Sequence, residues 1–513
     1  MPRPRGSLLP TWRRERLVLV AVVSLLACVL IFNPSLLFHL PDAQPCATPQ
    51  PLELPKPVEL PQAHLNPPGQ PSSTLPSSLA SEPVDLRMYW GTALPPETRI
   101  VSHSPGFTVF ENLYMMNGTT FVVTTEPEEV PELRYILGSG ADNPGFLSPV
   151  QDPTDKDMQV ITPLQAKELF GVGAMNLQGN TLWAHESAQM LPHYYHFCAE
   201  LFFGIWRAYS SLAPSISEDG QTALPLPARW IFPHVDTSAW RDYARMNQYV
   251  LFASLPSTQL LFHTDFVDLA EFERPYVLER VVMCDRGAAI RGSGWMPAQR
   301  LASQAFDLRA VEHWWEPIRN AVVRFATKDD DARVSTGNLP GPAVLGRKSK
   351  NHDKPVITYV SRQNWNTRSL RAEDHQTLVQ ALYRLRDLHG YEVNVVTMDT
   401  LTRHEQIALA ARTTILIGPH GNGLTALLWM KPTPKTAVME FFFPTGWAYD
   451  YEWTARHLGI KHYGWHNDTF DQYPNIPGAN HYPPGYQGTD MPIDGEAVAR
   501  EIHKRLSGQA AAA

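Results

Sequence analysis

Cysteine is scarce in this chain: 513 residues contain four, at Cys28, Cys46, Cys198 and Cys284. Four are too few for a disulfide framework at this size, so the fold must rest on an apolar core. Cys198 and Cys284 could pair in an oxidising compartment or stand as buried free thiols, and the sequence leaves both open. A basic excess is also missing, because 43 Lys and Arg face 51 Asp and Glu for a formal net charge of −8. That balance argues against nucleic acid as a partner, although a local basic pocket remains compatible with it. Several chemical signatures are absent as well: G-x-G-x-x-G, a Walker pattern, H-E-x-x-H and G-x-S-x-G. Dinucleotide, ATP, zincin and serine-hydrolase readings lose their support accordingly. No internal repeat is visible. What is plentiful is apolar residue, 43% of the chain, enough for a globular protein with a sizeable core.

The longest apolar run is "LVLVAVVSLLACVLIF", Leu17 to Phe32, which "NPSLLFHL" extends to Leu40. It has the roughly 20 residues needed to span a bilayer and exceeds the h-region of a signal peptide. Arg3, Arg5, Arg13, Arg14 and Arg16 precede it and Asp42 is the first charge after it, so the positive-inside rule predicts a cytoplasmic tail (1–16) and a transmembrane anchor (17–40). The expectation is a single-pass type II protein of the Golgi or endoplasmic reticulum membrane, its body lumenal. Residues 41–83 are dominated by proline and serine and predict an extended stalk. Two N-glycosylation sequons, at Asn117 and Asn467, fit a lumenal surface.

After the stalk the pattern becomes globular. "VITYV", "YEVNVVTM", "TILIG" and "AVMEFFF" read as short buried strands, with amphipathic stretches between them. One such stretch places Leu378, Leu382 and Leu385 at helical spacing before Gly390. Strands alternating with helices predict a parallel, doubly wound, Rossmann-like sheet over residues 355–508. Residues 84–327 read less cleanly as a first α/β domain. Residues 328–354 lack apolar periodicity and are expected to be an inter-domain loop, carrying Asp329 to Asp331 as solvated carboxylates rather than a metal site.

In doubly wound sheets ligands sit beyond the carboxyl ends of the strands, so the residues there carry the functional information. Ser361, Arg362 and Arg368 follow "VITYV", where forked guanidiniums suit a diphosphate. "GPHGNGLT" follows "TILI". Gly421 and Gly423 would let the backbone approach a ligand, His420 would project beside it, and the helix start at Leu424 and Thr425 would offer unpaired N–H groups to an anion. Glu440 ends the next strand, placed either to accept from ribose hydroxyls or to cap a neighbouring helix. In the first domain "HYYHFCAE" sets His196 and Glu200 four apart on one helical face. A third ligand for zinc is not evident, and either residue could serve as a general base.

"HYYHFCAE", "SRQNWNTRSL" and "GPHGNGLTALLWMKP" with "AVMEFFFP" and "LGIKHYGW" resemble glycosyltransferase family 61, in order over Leu182 to Trp465. That family includes the EGF-domain-specific O-linked N-acetylglucosamine transferase and plant xylan xylosyl- and arabinosyltransferases. The resemblance implies a GT-B-like α/β architecture with two Rossmann-type domains facing a cleft, and an inverting transferase. The donor would be a UDP-sugar carrying GlcNAc or a pentose such as xylose, and the acceptor a glycan or glycoprotein. No metal cofactor would be needed. Ser361, Arg362, Arg368, His420, Gly421, Asn422, Gly423, Leu424, Thr425 and Glu440 would bind the nucleotide-sugar, and His196 or Glu200 would be the base. Asn422 stands where the family usually has a small residue. The rival reading is a catalytically silent lumenal protein that keeps the fold to bind glycans or cargo.

Overall fold

Short apolar, β-branched runs bounded by glycine, proline and charge form strands, and the stretches between them form helices, as the alternation predicts. The computed structural model describes residues 86–139, 151–336 and 354–508, with backbone alone over 328–336. The expected tail (1–16), anchor (17–40) and stalk (41–83) lie outside the described residues, as do Cys28 and Cys46. Among the described residues no helix is long and apolar enough to cross a membrane.

The first sheet comprises β1 (Arg87–Tyr89), β2 (Arg99–Ser104), β3 (Phe107–Met116), β4 (Thr119–Val123), β5 (Met158–Ile161), β6 (Gly173–Ala184), β7 (Arg229–Ile231), β8 (Gln259–Leu261) and β9 (Tyr276–Cys284). Its order is β5-β4-β3-β9-β6-β7-β8, with β1 added to β6 and β2 to β3. It is mixed: β3 pairs antiparallel with β2, β4 and β9, whereas β6 runs parallel to β7 and β9. The expectation of a second Rossmann-type domain is therefore corrected. Residues 99–123 form a meander, which needs only tight turns, while parallel pairing starts where helices supply the crossovers. The exposed sequon Asn117 sits in the β3–β4 turn at φ 53°.

The second sheet comprises β10 (Val356–Val360), β11 (Glu392–Val396), β12 (Ile415–Pro419), β13 (Ala437–Phe441), β14 (Lys461–His466) and β15 (Thr469–Asp471). Its order is β11-β10-β12-β13-β14-β15, parallel as far as β14. All residues of β10, β12 and β13 are buried, which is why they read as unbroken apolar runs. Helix Ala372–His389 buries Leu378, Leu382 and Leu385 against this sheet and stops at Gly390, in the left-handed region. The chain reverses its winding between β10 and β12, so the crevice at the carboxyl ends of those two strands is the topological switch point.

The two sheets share an apolar core. Phe203, Trp206, Trp230 and Trp315 from the first half pack in one cluster with Leu427, Trp429, Trp447 and Trp453 from the second. Trp315 Nε1 donates to the Leu428 carbonyl at 2.9 Å and Trp429 Nε1 to the Tyr194 hydroxyl at 2.7 Å. Residues 328–336, expected as loop, are instead the last turns of helix Glu316–Thr336, and Asp329 to Asp331 lie on it. Aspartate is a poor helix former, at most about 0.7 kcal/mol per residue below alanine, a cost small enough for a helix anchored by buried Ile318 and Val322 to continue through the three. Residues 337–353 lie outside the described residues. Cys198 and Cys284 are buried free thiols.

Gly418 on β12 leaves no room for a side chain, because a Cβ there would stand 2.7 Å from the backbone oxygen of Val360 on β10. Gly418→Ala should therefore force the two strands apart and cost about 1–3 kcal/mol, the usual penalty for overpacking a core. A denaturant midpoint equal to wild type would refute this account of the β10–β12 contact.

Candidate functional site

At the switch point β10 delivers Ser361 and Arg362, and the turn after it delivers Arg368. Both arginines line a cavity of about 250 Å³ together with Tyr243, Trp365, Asp399 and Asn422. Arg362 donates to the Thr367 carbonyl at 3.3 Å and the Thr367 hydroxyl at 3.1 Å, and stacks over Trp365. Burial, then the neighbouring Arg368, push its pKa down to about 10. Arg368 is held at φ 51°, and its Nε is buried with no hydrogen-bond partner. Neither arginine has an acidic ion-pair partner among the described residues. Two guanidiniums so placed suit an anion with several oxygens, because each fork matches a phosphate edge.

The turn after β12 borders the same cavity. A Cβ on Gly421 would lie 2.6 Å from Arg362 Nη1, so glycine there permits the close approach of the two strand ends. Asn422 and Gly423 line the cavity. The Asn422 Oδ1 accepts from the Tyr195 backbone N–H at 3.2 Å and from the Thr425 hydroxyl at 3.3 Å. Asn422 thus ties the glycine turn to the first half of the chain. The expectation that Leu424 and Thr425 offer unpaired N–H groups to an anion is corrected. Leu424 and Thr425 are wholly buried, and the Leu424 N–H is already donated to the Gly421 carbonyl. The segment Asn422–Trp429 is a 3₁₀ helix, whose tighter turns use its N–H groups sooner.

His420 does not project into the cavity, and Glu440 does not reach a position to meet a ribose. His420 Nδ1 and Glu440 Oε1 are 2.5 Å apart, and His462 Nε2 meets Glu440 Oε2 at 2.8 Å. Glu440 has no exposed surface. The His420 ring stacks on Phe442 and lies edge-on to Tyr451. Burial lowers the pKa of both histidines to about 3. The strand ends were legible; that the side chains bind each other was not.

On the other side of the cavity stands His193, whose ring lies 4.8 Å from that of His196 and whose pKa burial lowers to about 4. His196 opens a π-helix, His196–Phe202, that continues as helix Phe203–Ser210. Such turns recur at functional sites. Its Nδ1 meets Glu200 Oε2 at 2.8 Å, with 19% of the imidazole side chain exposed. Glu200 is fully buried, 3.1 Å from Arg286 and 3.6 Å from Arg300. Burial alone would raise its pKa, but Arg286, His196 and Arg300 outweigh this and hold it far below the carboxylate range. Glu200 is thereby removed as a candidate base, since a sealed carboxylate held between two guanidiniums has no surface on which to take a proton from a ligand. It orients His196 instead.

The ion network extends beyond what the sequence suggested. Arg286 also pairs with Glu186 at 3.3 Å, and Arg300 pairs with Asp450 at 2.5 Å, joining the two halves. Glu186 and Arg286 each follow a strand closely, after β6 and β9, so the strand-end rule applied to the first sheet would have found them. Arg300 and Asp450 follow no strand directly and carry no local signal. Tyr243, Trp365 and Asp399 were likewise missed.

The family model described as Glycosyltransferase 61 matches residues 194–439. That interval holds His196, Glu200, both cavity arginines and the glycine turn, while Glu440, Asp450 and His462 lie beyond it. No curated protein matches the chain.

Glu200→Gln should cost about 3–5 kcal/mol at neutral pH, because it leaves two buried guanidiniums facing a neutral amide. The folded pKa of Glu200 is depressed, so its contribution is complete above the unfolded value of about 4.3 and fades as pH falls below it. Denaturant titrations of both proteins should show a gap at pH 7 that narrows below about pH 4. A gap independent of pH would mean that shape, not charge, is what Glu200 supplies.

Proposed function

Because the chain belongs to glycosyltransferase family 61 through residues 194–439, we propose that it is an inverting glycosyltransferase. It moves GlcNAc or a pentose such as xylose from a UDP-sugar to a glycan or glycoprotein acceptor in the secretory pathway. The observation that carries this reading is the pair Arg362 and Arg368, two guanidiniums without acidic partners among the described residues, at the switch point and on the cavity that His193 also lines. The diphosphate takes the arginines, and the nucleotide follows the cavity past Asn422 and Gly423 toward Trp365 and Tyr243. Both rings are exposed enough to stack on a base.

Inversion needs one displacement at the anomeric carbon, hence one base near the acceptor hydroxyl. His196 takes that proton at Nε2, while Nδ1–H donates to the Glu200 carboxylate, which fixes the tautomer and stabilises the imidazolium as it forms. Negative charge grows on the departing UDP, and the arginines meet it with preorganised donors, so no divalent ion is required. We place the body in the lumen, carried by the anchor over residues 17–40; the sequon asparagines Asn117 and Asn467 are both exposed, in keeping with that placement.

A screen of the purified protein against UDP-GlcNAc, UDP-xylose and other donors tests the reading directly. Neither transfer nor hydrolysis of any UDP-sugar, with no UDP binding, would overturn it, whereas UDP binding without turnover would favour the silent binding protein. Arg362→Ala should lower turnover by about 10²–10³-fold, the cost of one preorganised donor to developing charge. Arg362→Lys should recover little, since an ammonium keeps the charge without the planar fork. EDTA should leave activity largely intact. Wild-type turnover in the alanine variant removes Arg362 from the site, and loss on chelation restored by manganese refutes the metal-free mechanism.

A further inference from the structure

We infer that Glu440 is a neutral carboxylic acid that donates its proton to His420 Nδ1, fixing His420 as the Nε2–H tautomer and thus as a hydrogen-bond donor beside the glycine turn. Among the described residues near the cavity, two glutamates, Glu200 and Glu440, have no exposed surface. Their partners differ. Glu200 meets two guanidiniums, whereas Glu440 meets only two imidazoles, at 2.5 and 2.8 Å. An ionised carboxylate sealed between neutral rings would be an uncompensated buried charge, and such groups take up a proton instead.

The outer ends of the two histidines fix where the protons lie. His462 Nδ1 is buried and has no hydrogen-bond partner. A bare lone pair is tolerated there more readily than an orphaned N–H, so His462 carries its proton on Nε2 and donates it to Glu440 Oε2. Glu440 Oε1 then carries the one remaining proton of the acid and gives it to His420 Nδ1 across a short O–H···N contact. His420, neutral, must hold its own proton on Nε2. The row His462, Glu440, His420 is uncharged throughout, and each hydrogen bond within it is donated in the direction from His462 to His420. His420 keeps 8% of its surface while His462 keeps 4%, so the end of the row that retains access is the donor end.

The surroundings were weighed from every side. Asp450 and Glu452 disfavour ionisation of Glu440, and Arg368 and Arg300 favour it, but burial exceeds all four and pushes the carboxyl well above its usual range. Asp450 in turn is engaged by Arg300 at 2.5 Å, and Glu452 by Arg456 at 2.9 Å. Arg368 and Arg362 both act electrostatically on His420 as well. Glu440 is therefore a positioning residue: it fixes the tautomer of His420, the residue that precedes the cavity-lining glycine turn. This holds whatever the ligand and does not require the donor to be a UDP-sugar.

Nitrogen NMR of the full chain labelled with ¹⁵N-histidine reads the tautomer directly, with His420 identified by its loss in His420→Asn. Wild type should show His420 neutral and protonated at Nε2 near neutral pH. In Glu440→Gln the amide reproduces a protonated carboxyl, its NH₂ donating to His420 and its oxygen accepting from His462. The same tautomer should persist, with a thermal midpoint within about 4 °C of wild type. Glu200→Gln should lose considerably more. A wild-type His420 protonated at Nδ1, or as imidazolium, overturns the inference without any variant. So does a switch of tautomer in Glu440→Gln, or destabilisation of that variant as large as that of Glu200→Gln.

Discussion

Glu200 is a charge that solvent cannot reach, and the geometry around the cavity follows from how it is neutralised. Ionised carboxylates survive such burial only with close cationic partners. Arg286 supplies one from the residues after β9, and Arg300 the other. Each guanidinium has more donors than Glu200 can accept, so each recruits a second acid, Glu186 and Asp450 respectively. Asp450 belongs to the second half of the chain. The need to satisfy one buried carboxylate thus extends into a fixed link between the halves, and His196, hydrogen-bonded to the same carboxylate, is held at their junction.

The apolar contacts would bring the halves together without these charges, but they would not fix the alignment closely. Trp315 meets Trp429 across the boundary with tilted rings and Phe203 meets Trp453 edge-on, contacts made by dispersion that is non-directional. Directional bonds remove that freedom. Asn422 holds the Tyr195 N–H, and Trp429 holds the Tyr194 hydroxyl, on the residues just before His196. The glycine turn that borders the arginines is in this way indexed to the helix that carries the imidazole.

The second sheet was legible in the sequence because its strands are buried on both faces and its helices are capped by residues with local signals, such as Gly390 and the Thr402–Glu405 capping box. The first sheet was less so. Its antiparallel pairs β3–β4 and β3–β9 join partners at very different separations, and neither face leaves a periodic trace that distinguishes them. Helix Glu316–Thr336 was cut short by its own acidic run, whose local composition looks like a loop while the packing of its first turns decides the matter. At the site, strand order makes the ends of β10, β12 and β13 neighbours, and that much the pattern foretold for Arg362, His420 and Glu440. Sequence cannot say which side chains satisfy one another once adjacent, so Glu440 read as a ligand for ribose and Glu200 as a base. Arg300 and Asp450 lie 150 positions apart and meet only in the folded chain.

Two identical side chains, Glu200 and Glu440, are equally buried, and the inferred difference in their charge states follows from what stands beside them. The Glu200 carboxylate meets His196 at Nδ1 and so stands as a counter-charge beside that ring. A neutral acid behind His420 gives no such counter-charge, and the nearby guanidiniums oppose any positive charge on the ring. His196 is then suited to take a proton and His420 only to offer a hydrogen bond while staying neutral. The displacement proposed for this chain, with a nucleophile entering on one side and an anion leaving on the other, would use this polarity. The two glutamates supply it through their partners, Arg286 and Arg300 beside Glu200 and His462 beside Glu440.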